Sequence, residues 1–233
     1  MKRFHLNIEN QEKASSPLQG ELRRGLLKIC GMKFLDNIEA VAKLQPDYLG
    51  FIFYEKSARF NEDNVPNLPA GIQKIGVFVD AEIDFVLEKV KNHQLHGIQL
   101  HGNESPEYCR QLKNKLNSLE TGIKIIKVFS IKDEFDFSVL NPFETVVDFY
   151  LFDTKGKLPG GNGYTFNWEV LKNYPSEKPF FLSGGIGMEE LEKLKSLDSN
   201  LPIHAIDVNS KFELEPGLKN VELLKEFIYQ LRF

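Results

Sequence analysis

The stretch FYLFDTKGKLPGGNGYTF, Phe149 to Phe166, joins a short apolar run to an aspartate and then to a loop carrying Gly160, Gly161 and Gly163. An apolar run bounded by glycines reads as a buried strand. Asp153 stands at its carboxyl end. An acid there, ahead of a glycine-hinged loop, suits proton-transfer chemistry beneath a closing lid. The competing reading is that Asp153 only caps the next turn with its side chain. The rest of the chain has to decide between them.

Outward from this stretch, the same unit recurs from Leu26 to the end. The strand candidates are LLKI at 26–29, DYLGFIF at 47–53, KIGVFV at 74–79, GIQL at 97–100, IKIIKV at 123–128, FYLF at 149–152, PFFLS at 179–183 and IHAIDV at 203–208. Helical patterns lie between them. They are Asp36 to Leu44, the set Ile83, Val86, Leu87 and Val90, a helix opened by Ser105-Pro106-Glu107, Met188 to Leu197, and Lys219 to Leu231. About eight strands alternating with helices, at roughly 25-residue spacing, predict parallel βα units. Their natural closure is an α/β fold of the (β/α)8 TIM barrel type, a single domain over residues 26–233. A doubly wound open sheet is the alternative. No G-x-G-x-x-G fingerprint follows the first strand, which counts against a dinucleotide fold.

Residues 1–25 are polar and aperiodic, and read as a poorly ordered N-terminal extension outside the domain. Glu9, Glu12 and Glu21 argue against an organelle transit peptide. At 233 residues the chain can bury a core without staples. Its hydrophobic share of 42% and charged share of 27% exclude a wholly disordered chain. A net charge of -4 offers no general attraction to nucleic acid or to an anionic membrane surface. No apolar stretch approaches the length of a membrane span. Any anionic ligand must therefore be held by local groups. Cys30 and Cys109, far apart and unpatterned, suit reduced thiols in a cytoplasmic protein rather than a disulfide framework.

The barrel reading gathers polar residues on one face, because active sites of such barrels sit at the carboxyl ends of the strands. Those ends carry Cys30, the segment leading to Arg59, Asp80, His101, Ser130, Asp153, Ser183 with Gly184 and Gly185, and Asp207 with Asn209 and Ser210. This is the pattern of an enzyme. Ser183-Gly184-Gly185-Ile186-Gly187 and Asp207-Val208-Asn209-Ser210 follow the seventh and eighth strands, where barrels often hold a phosphate on backbone N–H groups. Glycines there let the backbone approach the anion closely. The expected ligand is a sugar phosphate or a molecule built from one.

Cys30 ends the first strand. A buried cysteine is most often inert core, whereas one facing the barrel mouth serves as a base if cationic neighbours lower its pKa. Cys109, in a helix, reads as packing. His93, His96 and His101 suggest a metal site at first sight, but a strand between the last two sets them some 16 Å apart. No shared metal is expected. His101, after Gln99, reads as a substrate-positioning group, and His93 and His96 as solvent-facing loop residues. Lys56 and Arg59 flank the mouth, where Arg59 can take a carboxylate in a bidentate fork.

Together these residues resemble the phosphoribosylanthranilate isomerases of tryptophan biosynthesis. The likeness rests on KICGM at 28–32, DYLGFIFYEKSARF at 47–60, IGVFVD at 75–80, GIQLHGNE at 97–104, LFDTKGKLPGGNGYTFNW at 151–168, FLSGGI at 181–186 and AIDVNSKFELEPGLKN at 205–220. The resemblance implies a TIM barrel that isomerises N-(5'-phosphoribosyl)anthranilate to 1-(2-carboxyphenylamino)-1-deoxyribulose 5-phosphate, an Amadori rearrangement needing no cofactor. It implies Cys30 as base and Asp153 as acid, with Arg59 near the anthranilate moiety. It places Gly184, Gly185, Asn209 and Ser210 in the phosphate cradle, while Gln99, His101 and Asp207 are expected beside the substrate from their places at strand ends. A single small phosphorylated substrate is the expected partner, and a monomer the expected state.

Two motifs depart from the family. Lys211 stands where it has a glycine, which questions the loop's backbone and offers a charge to phosphate. Gly187-Met188-Glu189-Glu190 replaces the usual proline and asparagine at a helix start. Two other readings remain. One is the related histidine-pathway isomerase, which pairs two aspartates and so fits Cys30 poorly. The other is a barrel that binds a phosphorylated metabolite without catalysis.

Overall fold

The computed structural model describes residues 26–62, 65–119, 122–132, 134–154 and 167–232. The extension at 1–25 and the glycine loop at 160–163 lie outside the described residues. Eight strands close into a barrel in chain order: β1 (Leu27–Ile29), β2 (Tyr48–Ile52), β3 (Gln73–Phe78), β4 (Gly97–Leu100), β5 (Lys124–Ile131), β6 (Phe149–Thr154), β7 (Phe180–Leu182) and β8 (Ile203–Val208). Neighbouring strands are parallel throughout, and β8 returns to β1 with Lys28 opposite Asp207 and Ile29 opposite Val208.

Alternation along each strand sends one set of side chains outward and one inward. Outward residues such as Leu27, Ile29, Leu49, Phe51 and Ile98 join the main core beneath the helices. Inward residues Tyr48, Ile75, Ile126, Val128, Leu151 and Phe181 fill the lower barrel. Near its amino end, a register shift between Phe180 and Phe181 makes room for His204. The His204 ring packs on Phe149 and Phe181, with Nε2 2.7 Å from the Tyr48 hydroxyl. With the floor filled by these side chains, the open cavity lies at the carboxyl end of the barrel.

Lys28 is the inward exception. It is wholly buried and its Nζ lies 2.9 Å from the Asp207 carboxylate, itself 5% exposed. Burial is the largest single influence and lowers the Lys28 pKa, but Asp207 and Cys30 together outweigh it and hold the ammonium above its ordinary range. Removing one partner of such a pair leaves an uncompensated buried charge, at a cost of about 3–5 kcal/mol.

The helices are α1 (Leu35–Ala42), α2 (Ile83–His93), α3 (Pro106–Ser118), α4 (Leu191–Lys195) and α5 (Val221–Arg232). Ser105 caps α3 by accepting from the Tyr108 N–H, with proline in the first turn. Cys109 packs on the buried face of α3 with Leu112 and Leu116, as expected. The helix expected over Met188–Leu197 is split: a 3-10 turn, Met188–Glu190, precedes α4, and the Glu190 carboxylate accepts from the Gly187 N–H at 2.7 Å. The last helix starts at Val221 rather than Lys219. Asn220 accepts from the Leu223 N–H, while Lys219 belongs to a hairpin, β9 (Glu213–Glu215) and β10 (Leu218–Lys219). After β5 and β6 stand 3-10 segments, Phe137–Phe143 and Trp168–Asn173. Pro142 lies inside the first and has no N–H to donate to a regular helix.

His93 corrects its expected place. It is the last residue of α2, on the face it shares with Val86 and Val90, and its ring stacks on Phe53 with centroids 5.2 Å apart. The helix runs three residues past Val90, far enough to bring the next position of the same stripe inward. His96 is exposed, as expected.

Candidate active site

The carboxyl ends of the strands surround a cavity of about 290 Å³. Cys30, Arg59, Gln99, His101, Asp153, Gly184, Gly185, Asp207, Asn209 and Ser210 all line it. The barrel thus brings together every residue singled out for catalysis or binding. Asp80 and Ser130, also at strand ends, are not part of its wall. The Asp80 carboxylate instead accepts from the Asn103 N–H at 2.6 Å, and its own N–H donates to Glu104 at 3.0 Å.

Cys30 points inward because it follows Lys28 by two residues on the same strand face. Its seat depends on Gly50 of β2: a Cβ there would stand 2.8 Å from the Cys30 Sγ. Burial pushes the Cys30 thiol up, and Lys28 and Lys219 pull the other way without cancelling it. The condition set for a base, that cationic neighbours lower the thiol pKa, is not met, because desolvation at this buried strand end outweighs the two ammonium groups. Gly50→Ala is expected to displace Cys30 and to lower kcat about a hundredfold, the order that a misplacement of about an ångström produces. Turnover and the thermal midpoint of the variant, measured together, separate this from unfolding.

Asp153 ends β6 and is mostly buried. One oxygen, Oδ1, accepts from the Thr154 N–H at 2.9 Å. The other, Oδ2, faces His101 Nε2 at 3.5 Å. Across the same ring, His101 Nδ1 lies 3.2 Å from the Gln99 amide nitrogen. Gly184 closes this wall. Its φ of +93° is in the left-handed region, and a Cβ would run into the backbone and hydroxyl of Thr154.

Arg59 is reached by the segment after β2. Its Nε donates to both Glu213 oxygens, at 2.9 and 3.0 Å, and Nη2 donates to Oε2 at 2.7 Å. The fork expected to grip a substrate carboxylate is thus occupied along that edge. The reason is that Glu213, with a side chain 4% exposed, needs cations around it, and Lys219 supplies a second at 2.7 Å. Burial opposes ionisation of Glu213, but the Arg59 fork and Lys219 hold its carboxyl below the usual range. Burial pulls Lys219 down to about 8 against the attraction of Glu213, so it remains a cation at neutral pH. Among the described residues Nη1 of Arg59 makes no hydrogen bond, and it is the part of the fork left for a ligand.

The loops after β7 and β8 meet at the part of the rim next to β1, where Asn209 and Arg59 both approach Gly31. Gly184 and Gly185 both have positive φ, +93° and +69°. Among the described residues the N–H groups of Gly185, Ile186 and Ser210 have no protein acceptor. Paired loops with unspent donors of this kind bind anions.

A family model described as N-(5'phosphoribosyl)anthranilate (PRA) isomerase matches residues 27–230. The chain belongs to the PRA isomerase family. The N-(5'-phosphoribosyl)anthranilate isomerase of Parabacteroides distasonis is 42% identical to it over 212 residues, covering 88% of this chain and 93% of the relative. The phosphoribosyl anthranilate isomerase of Thermotoga maritima has a similar structure, with a TM-score of 0.75 at 29% identity, over 88% of this chain and 97% of that one. A phosphoribosyl anthranilate isomerase solved in complex with reduced 1-(o-carboxyphenylamino)-1-deoxyribulose 5-phosphate gives a TM-score of 0.72 at 27% identity, with the same coverage.

The two departures from the PRA isomerase pattern face each other. Lys211, from the loop after β8, bonds through Nζ to the Glu189 carboxylate in the turn after β7. The charge expected for phosphate is thus met by a neighbouring acid, and the Lys211 hydrogen bond holds Glu189 below its usual range. The loop backbone needs no glycine at 211, because Ser210–Phe212 forms a 3-10 turn with no positive φ among its residues. Lys211→Gly is expected to raise KM several-fold by leaving Glu189 unneutralised near an anionic ligand, and Glu189→Ala on top of it to restore KM. Steady-state kinetics of the single and double variants check this. Equal KM in all three would contradict it.

Four supporting residues of this PRA isomerase escaped the sequence reading: Lys28, Gly50, Glu213 and Lys219. Lys28 left a signal, a charge inside an apolar strand run, which in a barrel points inward. The others left none that spacing alone reveals.

Proposed function

We propose that Asp153 and Cys30 perform the two proton transfers by which this chain isomerises N-(5'-phosphoribosyl)anthranilate to 1-(2-carboxyphenylamino)-1-deoxyribulose 5-phosphate. The observation that carries the assignment is their placement: an acid at the end of β6 and a thiol at the end of β1 line one cavity, with the anion-binding loops of β7 and β8 between them in the barrel order. A phosphate held by those loops lays the ribose across the mouth, between acid and base.

Protonated Asp153 gives its proton to the ribose ring oxygen. The C1′–O bond breaks with its electron pair going to oxygen, and the anilino nitrogen lone pair forms the C1′=N bond of a Schiff base. Cys30 as thiolate then removes the proton from C2′, and the C–H electrons move into C1′=C2′ as the iminium nitrogen is neutralised. The enolamine so formed tautomerises to the ketone. An acid and a base acting at different atoms need separate positions, which the ends of β6 and β1 supply. Arg59 Nη1 is assigned to the anthranilate carboxylate, Gly184, Gly185, Asn209 and Ser210 to the phosphate, and Gln99, His101 and Asp207 to the wall around the sugar.

The working unit in this reading is a monomer, with the residues assigned roles all lining the mouth of one barrel. Among the described residues no helix is long and apolar enough to cross a membrane. Cys30 and Cys109 are both free, which suits the reducing conditions of the cytoplasm. The test is the loss of anthranilate fluorescence when freshly prepared phosphoribosylanthranilate meets the purified chain. Loss above the spontaneous rate is expected, and its absence would move the assignment to another sugar phosphate or to binding alone.

A further inference from the structure

Gln99 and His101 sit two residues apart at the end of β4, so both face the interior. The His101 backbone is tied to the neighbouring strand by its N–H to the Phe78 carbonyl at 2.8 Å. The Gln99 side chain is 1% exposed, and its amide nitrogen is 3.2 Å from His101 Nδ1. Its carbonyl oxygen is buried with no hydrogen-bond partner among the described residues. On the far side of the ring, His101 Nε2 faces Asp153 Oδ2 at 3.5 Å.

The two ends of the Gln99 amide have opposite chemical consequences. If the NH2 group donates to Nδ1, the neutral imidazole carries its hydrogen on Nε2 and offers it to Asp153. If the amide is turned round, the carbonyl accepts from Nδ1–H, and a neutral ring then presents a bare lone pair to Asp153. That lone pair would draw the acid's proton away from the substrate. In this structure the amide nitrogen is the end that faces Nδ1, at 3.2 Å, which is the first arrangement.

We propose that Gln99 is a positioning residue that fixes the Nε2–H tautomer of His101, and that His101 then stabilises the Asp153 carboxylate formed as the acid releases its proton to the ribose ring oxygen. The proton transferred is Asp153's own. Its O–H electron pair stays on the carboxylate, where Oδ1 accepts from the Thr154 N–H at 2.9 Å and Oδ2 stands 3.5 Å from His101 Nε2, a gap that the developing charge would close. Each oxygen of the developing anion therefore has a donor on the protein, placed before the charge appears. His101 neither gains nor loses a proton in the cycle. The inference rests on Asp153 being the acid and extends that reading to the machinery behind it.

The test joins a spectrum to kinetics. Ring 15N shifts of the wild-type protein, with His101 assigned by its loss in His101→Asn, are expected to show Nε2 as the protonated nitrogen at neutral pH. Gln99→Met keeps the volume and removes the amide. It is expected to populate both tautomers and to lower kcat about tenfold or more, with KM within about twofold, since a wrongly held tautomer disables the chemistry and not the binding. A wild-type ring protonated on Nδ1 would overturn the proposal by itself, whether or not Gln99→Met folds. A raised KM with unchanged kcat would also overturn it, by making Gln99 a substrate contact. If Asp153→Asn proved fully active, the acid assignment itself would fall, a result distinct from either of these.

Discussion

Asp153→Asn is expected to turn over at least about a thousandfold more slowly than the parent enzyme, within the range that a general acid contributes. Opening the furanose places negative charge on the departing ring oxygen, and a proton must reach it as the bond breaks. The carboxamide matches the carboxyl in shape and still accepts from the Thr154 N–H at Oδ1, so the fold should survive. What it lacks is an acidic proton. The thermal midpoint should stay within a few degrees, and the rate of anthranilate fluorescence loss should fall to near background. A rate within tenfold of the parent would remove Asp153 from this role.

Cys30→Ala is expected to cost a similar factor by a different route, since the second proton leaves a carbon rather than joining an oxygen. Alanine fits the seat that Gly50 provides, so the loss should not come from packing. The buried thiol carries a pH consequence. Its pKa is raised by desolvation against the pull of Lys28 and Lys219, so the thiolate fraction is small at neutral pH and grows with pH. The rate at which a thiol-specific alkylating agent modifies Cys30 in the free enzyme should therefore climb through about pH 6 to 8. A flat profile there would mean that the cations hold the thiolate in place already. Cys30→Ser, binding a product analogue while failing to turn over, would separate binding from chemistry.

Most of the barrel was legible because its strands are short apolar runs punctuated by turns, and periodicity is a local property. Ser105-Pro106 announced α3 in the same way, through chemistry confined to a few neighbouring residues. The cavity was legible at one remove, since the barrel's geometry alone collects strand ends into one mouth. What stayed hidden was pairing at a distance. Nothing near Arg59 announces that its fork is taken by Glu213, 154 residues on, and nothing near Lys211 announces Glu189. His93 was misplaced because its stripe on α2 continues past the last obvious apolar residue, and a histidine does not advertise burial. For the Cys30 thiol the sequence left the question open, because neighbouring charges can be guessed from it, whereas the depth of burial that opposes them cannot.

The join between β1 and β8 has a bearing on how the enzyme comes into being. Cys30 follows the first strand, the loops proposed to hold phosphate follow the last two, and the Lys28–Asp207 tie between them spans 179 residues. A ribosome delivers these parts at opposite ends of synthesis, so a growing chain holds its thiol early and has nowhere to use it. Contacts of such long separation also form late when a chain refolds. Turnover should consequently appear after the strands and helices, which makes catalysis a clock for the moment the ring shuts. A nascent or clipped chain that never receives β8 is thereby kept silent, with its reactive sulfur unaccompanied by either the phosphate grip or the partner of Lys28.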